Sequence, residues 1–236
     1  DGYEIKEFQS TLNQGWTVRL KSREYYFKPS VSWPKISSGS FSARYYPNGF
    51  IFDVAGCCYF PYGDLREEII VGYLNSKVAK CFLEFLSPTL NFEIEQIKIL
   101  PFINIEESNF TVLDEIYELS KQDWNSKETS WSFEKSNLIN ETTSIKLALK
   151  KWKCLITNYF FKLLENEESI NKLFIENYGL QNELTPEVAL KDITILQDEL
   201  KKNDLELLEE KFRAQGKDAI ELPINRGEVI SQFISY

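Results

Sequence analysis

The 236-residue chain contains no histidine, and this absence removes several kinds of catalytic site. Serine and cysteine nucleophiles activated by histidine, histidine acid–base catalysis and histidine metal ligands are all excluded. The glycine patterns G-x-G-x-x-G and G-x-x-x-x-G-K-[ST] are also missing, so no nucleotide phosphate loop is predicted. An adenine-methylating loop needs the pattern [DNS]-P-P-[YFW] to hold a flipped base. None of the eight prolines has a proline neighbour, so that loop is missing too.

One short stretch is similar to the carboxylate set of a metal-dependent nuclease. Glu93, Glu95 and Lys98 lie within F-E-I-E-Q-I-K-I-L-P-F, which we predict to be extended and to end at Pro101. In a strand, Glu93 and Glu95 would share one face and Lys98 would lie on the other. A solvated strand edge explains the same residues, so a self-contained nuclease is only a third hypothesis for function.

The four cysteines do not form a recognisable framework. Cys57 and Cys58 are adjacent, whereas Cys81 and Cys154 stand alone, and there is no C-x-x-C pair. Neither a zinc site nor a disulfide scaffold is predicted. We expect four small buried thiols in a reducing compartment, which is the cytoplasm.

Charge is distributed unevenly along the chain. The net charge of −9 comes entirely from residues 106–236, whereas residues 1–105 carry equal numbers of basic and acidic groups. Residues 6–44 contain seven basic groups and two acidic ones, a local net of +5. Aromatic and serine residues alternate with these cations, a composition suited to phosphate and base contact. The predicted DNA contacts are Arg19, Lys21, Arg23, Lys28, Lys35, Ser38, Ser40 and Arg44, of which Arg23, Lys35 and Arg44 are the strongest candidates.

Two other interpretations of the basic segment remain open. The segment is also compatible with the polar surface of an ordinary β-rich half-domain. Alternatively, its charges pair with the acidic C-terminal half in salt bridges that are each worth little.

The elements that would position these residues are predicted to be mainly strands. Residues 15–60 contain four strand-like stretches, W-T-V-R-L, Y-Y-F, F-S-A-R-Y-Y and F-I-F-D-V-A-G-C-C-Y-F. Turn residues separate the stretches, and Tyr46-Pro47-Asn48-Gly49-Phe50 is the clearest hairpin turn because Asn-Gly tolerates positive φ.

The rest of the chain is predicted to be mostly helical. Apolar spacing predicts helices over residues 65–86, V-L-D-E-I-Y-E-L-S-K-Q-D-W, residues 143–178, residues 195–213 and N-R-G-E-V-I-S-Q-F-I-S-Y, with a loop over 125–143. The long helix is expected to break near residues 165–169 and to end at Gly179, a C-cap glycine. Its buried stripe is predicted to contain Leu149, Trp152, Ile156, Phe160 and Leu173.

No stretch approaches the about 18 apolar residues of a membrane helix, and the first residues do not form a signal peptide, so no membrane association is expected. The absence of methionine and the abrupt end of the last helix predict a fragment or a processed product.

Several blocks of the sequence resemble one known family over nearly the whole chain. They are D-G-Y-E-I-K, F-S-A-R-Y-Y-P-N-G-F-I-F-D-V-A-G-C-C-Y-F-P, Y-L-N-S-K through I-L-P-F, K-L-F-I-E-N-Y-G-L-Q-N-E-L-T-P-E-V with K-D-I-T-I, and the final N-R-G-E-V-I-S-Q-F-I-S-Y. Together they resemble the C-terminal part of PglX, the adenine-specific DNA methyltransferases of BREX phage-defence systems. The L-N-S-K to L-P element is also similar to the specificity domains of TaqI-like methyltransferases and type I restriction enzymes.

The resemblance implies a division of labour along the chain. Residues 1–105 would form a target-recognition domain and residues 106–236 an acidic, mostly helical domain. The family's S-adenosylmethionine domain and its Asn-Pro-Pro-Tyr loop precede this region, so the resemblance assigns no catalytic, cofactor or metal residue here. Adenine methylation implies base flipping, so recognition should hold a distorted duplex. The family continues past the last helix, whereas this chain stops at Tyr236.

We therefore predict an α+β chain, with a small β-rich recognition domain that carries a packed helix and a helical domain after it. The expected function is sequence-specific recognition of double-stranded DNA for an adenine methyltransferase, without activity of its own. The alternative is a docking module for other phage-defence proteins.

Overall fold

A three-stranded antiparallel sheet and eight α-helices make up the regular structure of the described residues. The computed structural model describes residues 2–13, 15, 20–37, 39–63, 65–87, 91–105, 110–138 and 144–235. The strands are β1 (Ser30–Pro34), β2 (Arg44–Tyr46) and β3 (Gly56–Tyr59). The helices are α1 (Tyr3–Thr11), α2 (Glu67–Asn75), α3 (Lys77–Leu86), α4 (Ile94–Lys98), α5 (Phe110–Asn125), α6 (Ile145–Asn177), α7 (Lys202–Gln215) and α8 (Arg226–Ser235). The predicted α+β class is confirmed.

The chain divides into two units by its internal contacts. The N-terminal unit comprises Asp1–Asn75 and Leu83–Leu100, and the C-terminal unit comprises Ser76–Phe82 and Pro101–Tyr236. The domain boundary at residue 105 stays a prediction.

The sheet of the N-terminal unit has β1 in the middle, in the order β2-β1-β3. Ser32 of β1 pairs with Arg44 on one side and with Cys58 on the other. Because β2 and β3 do not pair with each other, the predicted Asn-Gly hairpin is wrong. Gly49 does adopt positive φ, but its N–H donates to the carbonyl of Phe27 instead of closing a hairpin.

The core of the N-terminal unit is aromatic. The indole N–H of Trp33 donates to the carbonyl of Phe92 at 3.0 Å, and the Phe41 ring packs against both rings. Asn75, at the end of α2, holds the strand side of this core with two hydrogen bonds to the backbone of Ala43, at 2.8 and 2.9 Å. These two hydrogen bonds fix the backbone of Ala43, which lies two residues after Phe41 and one residue before β2 begins.

The single helix predicted over residues 65–86 is two helices. Ser76 separates α2 from α3, and its hydroxyl accepts a hydrogen bond from the N–H of Ala79. Asn and Ser side chains compete with helical hydrogen bonds and favour helix ends. The Asn-Ser pair therefore interrupts an otherwise continuous apolar stripe.

The long helix α6 runs without a break, contrary to the break expected at residues 165–169. The polar residues there have partners elsewhere in the C-terminal unit: Asn166 donates to Glu115 at 3.0 Å, and Glu168 pairs with Arg213 at 2.8 Å. The helix ends at Gly179, where φ is 68° and the N–H of Leu180 bonds the carbonyl of Ile175, as in a Schellman cap.

The core of the C-terminal unit is centred on α6. Trp152, Ile156 and Phe160 are buried in it, and Leu149 packs against it from a partly buried position. Leu173 is only partly buried, and Phe174 takes the fully buried place. The core members outside α6 come mainly from residues 190–205 and from residues 220–229.

One further helix prediction needs correction, and another is confirmed. The helix expected over residues 195–213 begins at Lys202, and Leu200 instead forms a β-bridge with Ile224. The C-terminal stretch forms α8, as predicted. Among the described residues, no helix has the length and apolarity that crossing a membrane requires.

Candidate nucleic-acid interface

Six of the eight predicted DNA-contact residues lie in the described part of the N-terminal unit. Arg19 and Ser38 lie outside the described residues. Lys21, Arg23, Lys28, Ser40 and Arg44 are exposed, and Lys35 is partly exposed. Within the described part of the chain, Lys21, Lys28 and Arg44 form no ion pair with a carboxylate.

Arg23 lies in a 3₁₀ turn over Arg23–Tyr25 and Lys28 follows it, so Y-Y-F does not form the predicted strand. We call residues 23–28 the basic turn. Ser22 starts the turn in the left-handed region at φ 53°, and its carbonyl accepts the N–H of Tyr25 at 3.0 Å. A left-handed residue followed by a tight turn cannot continue a strand. The side chains of Arg23, in the turn, and of Lys28, after it, are exposed.

Aromatic rings fix this turn to the residues on either side of β3. The Tyr25 ring lies 4.6 Å from the Phe60 ring, and the Tyr26 ring lies 5.5 Å from that of Phe52. The Lys28 ammonium lies 5.5 Å from the centre of the Tyr25 ring. The basic turn is thus held by ring contacts, which leave its cations facing solvent.

The sequence did not predict the conformation and exposure of Phe27. Its φ is 64°, a value that bulky residues rarely adopt, and its side chain is 61% exposed. Two backbone hydrogen bonds hold it there, from its own N–H to the carbonyl of Phe50 at 2.9 Å and from the N–H of Gly49 at 3.1 Å. Backbone strain of this kind persists where the surroundings over-determine it, and it concentrates at functional sites.

Arg44 lies on the edge strand β2, opposite Ser32 in the register. The rigid sheet fixes its backbone, and the side chain extends into solvent. Such a placement suits contact with a partner better than a mobile loop does, because less conformational entropy is lost on binding.

Lys35 differs from the other predicted contacts. Its ammonium pairs with the Glu93 carboxylate at 3.1 Å, with side chains that are 35% and 50% exposed. Its backbone is also tied, since its N–H donates to Ala55 and its carbonyl accepts the N–H of Phe92. A carboxylate partner cancels much of its positive field, so Lys35 is a weaker candidate than Arg44 for contact with a phosphate.

The carboxylates considered for a nuclease have structural partners. Residues 94–98 form α4, so the extended conformation predicted for this stretch is wrong. Glu93 caps this helix in a reciprocal capping box with Gln96, and Glu95 pairs with Lys98 at 2.9 Å. No group of three metal-ligating side chains occurs among the described residues. Glu93 and Glu95 therefore do not belong to a metal-binding group in the described part of the chain.

The cysteines are all free thiols, and two of them lie in β3. Only Cys57 is buried, so the expectation of four buried thiols is wrong: Cys58 and Cys81 are partly exposed and Cys154 is exposed. Burial raises the pKa of the Cys57 thiol, and the nearby Glu93 carboxylate raises it further. A raised pKa lowers the thiolate population, so Cys57 is a poor nucleophile and fits a packing role.

Comparison with known proteins identifies relatives for the chain. No family model matches it. It is 37% identical over 190 residues, 76% of its length, to the adenine-specific methyltransferase PglX of Lacticaseibacillus casei (strain Zhang). It is 27% identical to the adenine-specific methyltransferase BrxX of Escherichia coli O9:H4 (strain HS), in an alignment of 238 positions that covers 100% of the chain. The chain is homologous to the PglX and BrxX adenine-specific methyltransferases. It spans 16% and 18% of the lengths of these two relatives.

Proposed function

We propose that the N-terminal unit recognises duplex DNA for an adenine-specific methyltransferase of the PglX type. The observation that carries this proposal is the exposed basic turn around Arg23 and Lys28, which aromatic rings fix to the same unit as the edge-strand residue Arg44. The homologues' names supply the reaction, and the exposed cations supply the chemistry that a polyanion needs.

The side chains divide by what they can contact. Lys21 and Lys28 are flexible point charges suited to phosphates, whereas Arg23 and Arg44 carry planar groups that can also bind a guanine edge with two hydrogen bonds. Ser40 can donate to a phosphate. Lys35 keeps its place in the proposal, with a smaller contribution because of its Glu93 partner.

Phe27 adds an apolar contact to this surface. An exposed ring next to cations can stack on a base or wedge between base pairs, and such a wedge favours a bent duplex. Its neighbour Lys28 would hold a phosphate at the same place. This role agrees with a reaction in which the target adenine leaves the helix.

Chemistry and cofactor binding belong, in this proposal, to other parts of the full-length enzyme. The chain has neither a glycine-rich cofactor loop nor a Pro-Pro catalytic loop. We propose that it neither binds S-adenosylmethionine nor methylates DNA, and that it works in the cytoplasm on double-stranded DNA. Calorimetry of the chain with S-adenosylmethionine tests this, and micromolar binding would contradict it.

DNA recognition is tested by fluorescence anisotropy with two duplexes across a salt series. One duplex carries the motif that methylome sequencing finds in the host, and the other carries a scrambled version. We expect binding that weakens steeply with salt, because phosphate contacts release counterions. Lys98→Ala is the matched control, since Lys98 is an exposed cation paired with Glu95 outside the proposed surface. Absence of salt-sensitive binding to both duplexes would contradict the proposal.

Docking of another phage-defence protein is a second candidate function. Large apolar side chains are exposed in the C-terminal unit, among them Trp124 at 58% and Leu207 at 81%. Such residues are enriched in protein interfaces when they form a contiguous patch. Absence of salt-sensitive binding to duplex DNA would favour this function over the first.

A further inference from the structure

The segment between β2 and β3, residues 47–55, runs the length of β1. β2 ends at Tyr46, which pairs with Ser30 at the start of β1. β3 begins at Gly56, which pairs with Pro34 at the end of β1. The segment therefore carries the chain from one end of the central strand to the other, and we call residues 47–55 the crossover segment.

Hydrogen bonds fix both ends of the crossover segment beside predicted DNA contacts. Near its start, the carbonyl of Phe50 accepts the N–H of Phe27 at 2.9 Å, and Lys28 follows Phe27 in the chain. At its end, the carbonyl of Ala55 accepts the N–H of Lys35 at 2.9 Å. The residues between these two hydrogen bonds thus lie between the basic turn and Lys35.

Side chains hold the middle of the crossover segment in place. The ring of Phe52 lies 5.5 Å from the ring of Tyr26 in the basic turn. Asp53 is the one charged residue of the segment, and its Oδ1 accepts the N–H groups of Ala55 and Gly56 at 2.9 and 3.1 Å. A segment held in this way loses less conformational entropy on binding than a mobile loop does.

Two aliphatic side chains of the crossover segment are nevertheless exposed. Ile51 is 65% exposed and Val54 is 82% exposed. Single exposed apolar side chains are common on protein surfaces and need no explanation. These two differ because they lie on a fixed segment whose ends adjoin cations, so a ligand that the cations attract would also cover apolar surface here.

Duplex DNA offers an apolar group that fits such a surface. The 5-methyl group of thymine is the apolar part of the base edges in the major groove, and apolar side chains contact it there. The exposed Lys28 and Arg44 supply the positive charge that a polyanion needs. The relatives are named adenine-specific methyltransferases, and a duplex site for adenine methylation contains at least one A·T pair and therefore a thymine methyl group.

We propose that Ile51 and Val54 select thymine by contact with its 5-methyl group in the major groove of the bound duplex. This inference rests on the proposed DNA recognition and adds the base that the crossover segment reads. Contact of Arg44 with a guanine edge would take place in the same groove.

Deoxyuridine tests the inference, because it pairs as thymidine does and differs from it only by the missing 5-methyl group. Anisotropy compares the motif duplex with the same duplex carrying deoxyuridine at every thymine of the motif, on both strands. We expect the chain to bind the deoxyuridine duplex about fourfold more weakly for each methyl group that is contacted. The salt slope should be the same for both duplexes, since no phosphate contact is lost.

The possible results separate this inference from the proposed function. Equal, salt-sensitive binding to the thymine and deoxyuridine duplexes overturns the inference and leaves DNA recognition standing, with Ile51 and Val54 then available to a protein surface. Absence of salt-sensitive binding to any duplex contradicts the proposed function and this inference together.

Variants assign the preference for thymine to the two side chains. The double variant Ile51→Ser, Val54→Ser should bind the thymine and deoxyuridine duplexes equally, and its affinity for the deoxyuridine duplex should stay close to that of the parent. Ile99→Ser is the matched control, because Ile99 is 62% exposed in the same unit but outside the crossover segment, and it should keep the parent's preference. A double variant that still prefers thymine as the parent does rules the assignment out.

Milder variants keep the test valid if the double variant fails to fold. Val54→Ala and Ile51→Ala shorten one exposed side chain each, so thermal unfolding should stay close to that of the parent. Each should lower the preference for thymine in part. An unchanged preference in both variants overturns the inference.

Discussion

The two units of the chain hold several of their cations by different contacts. In the N-terminal unit, cations stand on a turn held by aromatic rings and on an edge strand, and Lys21, Lys28 and Arg44 have no carboxylate partner among the described residues. In the C-terminal unit, some cations pair with acids of the same unit: Arg213 binds Glu168 and Glu209, and further pairs are Lys121–Glu118, Lys127–Asp198, Lys162–Glu115, Lys172–Glu176, Lys191–Glu206 and Lys217–Glu165.

This difference bears on the hypothesis that the basic segment pairs with the acidic half. Eight acids of the C-terminal unit form ion pairs within that unit among the described residues, so these eight are less available to neutralise the basic segment. Exposed ion pairs are worth about 0–1 kcal/mol each, which makes them weak contributors to stability. The exposed Lys21, Lys28 and Arg44 therefore stay the candidates for contact with DNA in the proposed function, and we expect the stability of the C-terminal unit to come mainly from its apolar core.

The largest expected effect tests that core. Trp152→Ala should destabilise the chain by about 3–5 kcal/mol, because Trp152 is 3% exposed and the substitution leaves a large cavity around α6. Urea unfolding followed by circular dichroism measures the loss.

Trp131→Ala is the control for this substitution. The Trp131 side chain is 95% exposed, so its loss should change stability by less than about 0.5 kcal/mol. Equal effects of the two substitutions would show that burial does not distinguish these tryptophans.

The next effect concerns the N-terminal cations. Arg44→Ala should weaken binding to the motif duplex by about 1–3 kcal/mol and reduce its preference over the scrambled duplex, if Arg44 reads a base. Lys28→Ala should weaken binding to both duplexes alike and lower the salt slope by about one, as expected for a phosphate contact. Anisotropy titrations measure both.

Lys35→Ala sharpens this comparison, because Lys35 already has the Glu93 carboxylate as its partner. Its removal should cost less affinity than removal of Arg44. If Arg23, Lys35 and Arg44 can all be replaced by alanine without loss of affinity for either duplex, the recognition surface lies elsewhere.

The sequence predicted some parts of this architecture better than others. The helix α6 and its stripe followed from apolar periodicity, because a 33-residue helix repeats its pattern many times. The Asn-Gly turn was predicted from its composition. The predicted hairpin does not form, because strand pairing depends on contacts distant in sequence and both β2 and β3 pair with β1. The helix α4 is five residues long, too short for periodicity to separate it from a strand.

The candidate sites show the same limit. Cations of the basic turn were visible in the sequence, because charge is a local property. The left-handed Phe27 was not, since its conformation is imposed by hydrogen bonds to Gly49 and Phe50. The pairing of Lys35 with Glu93 joins residues far apart in the chain and changed the ranking of a predicted contact.

A pH effect of intermediate size should come from the C-terminal unit. Burial raises the pKa of Glu167 to about 7 and that of Asp123 to about 6. Lys80, Asp192 and Glu168 surround the first group, and Lys127, Asp198 and Glu199 surround the second. In both cases the nearby lysine opposes the rise and the acids add to it.

The raised pKa values mean that the folded state holds these protons more tightly than the unfolded state does. Stability therefore falls as pH rises through about 6 to 7, and the chain should be more stable at pH 6 than at pH 8 by roughly 1–2 kcal/mol. Urea unfolding at the two pH values measures this difference. Glu167→Gln should remove most of it, whereas Glu183→Gln, at an exposed position, should not. A rise in stability from pH 6 to pH 8 would contradict the assignment.

The smallest expected change in stability accompanies loss of the Phe27 ring. A left-handed conformation costs a non-glycine residue about 1–2 kcal/mol, and glycine adopts it without that cost. Since the ring is 61% exposed, Phe27→Gly should leave stability within about 1 kcal/mol of the parent, and Phe27→Ala, which keeps the strain, should be about 1 kcal/mol less stable than Phe27→Gly. Both variants should bind duplex DNA more weakly, with an unchanged salt slope because no charge is lost. Thermal unfolding measures the change in stability, and anisotropy measures the change in duplex affinity. If both variants bind the duplex as tightly as the parent does, Phe27 is not part of the DNA surface, and the proposed role of the cations is unaffected.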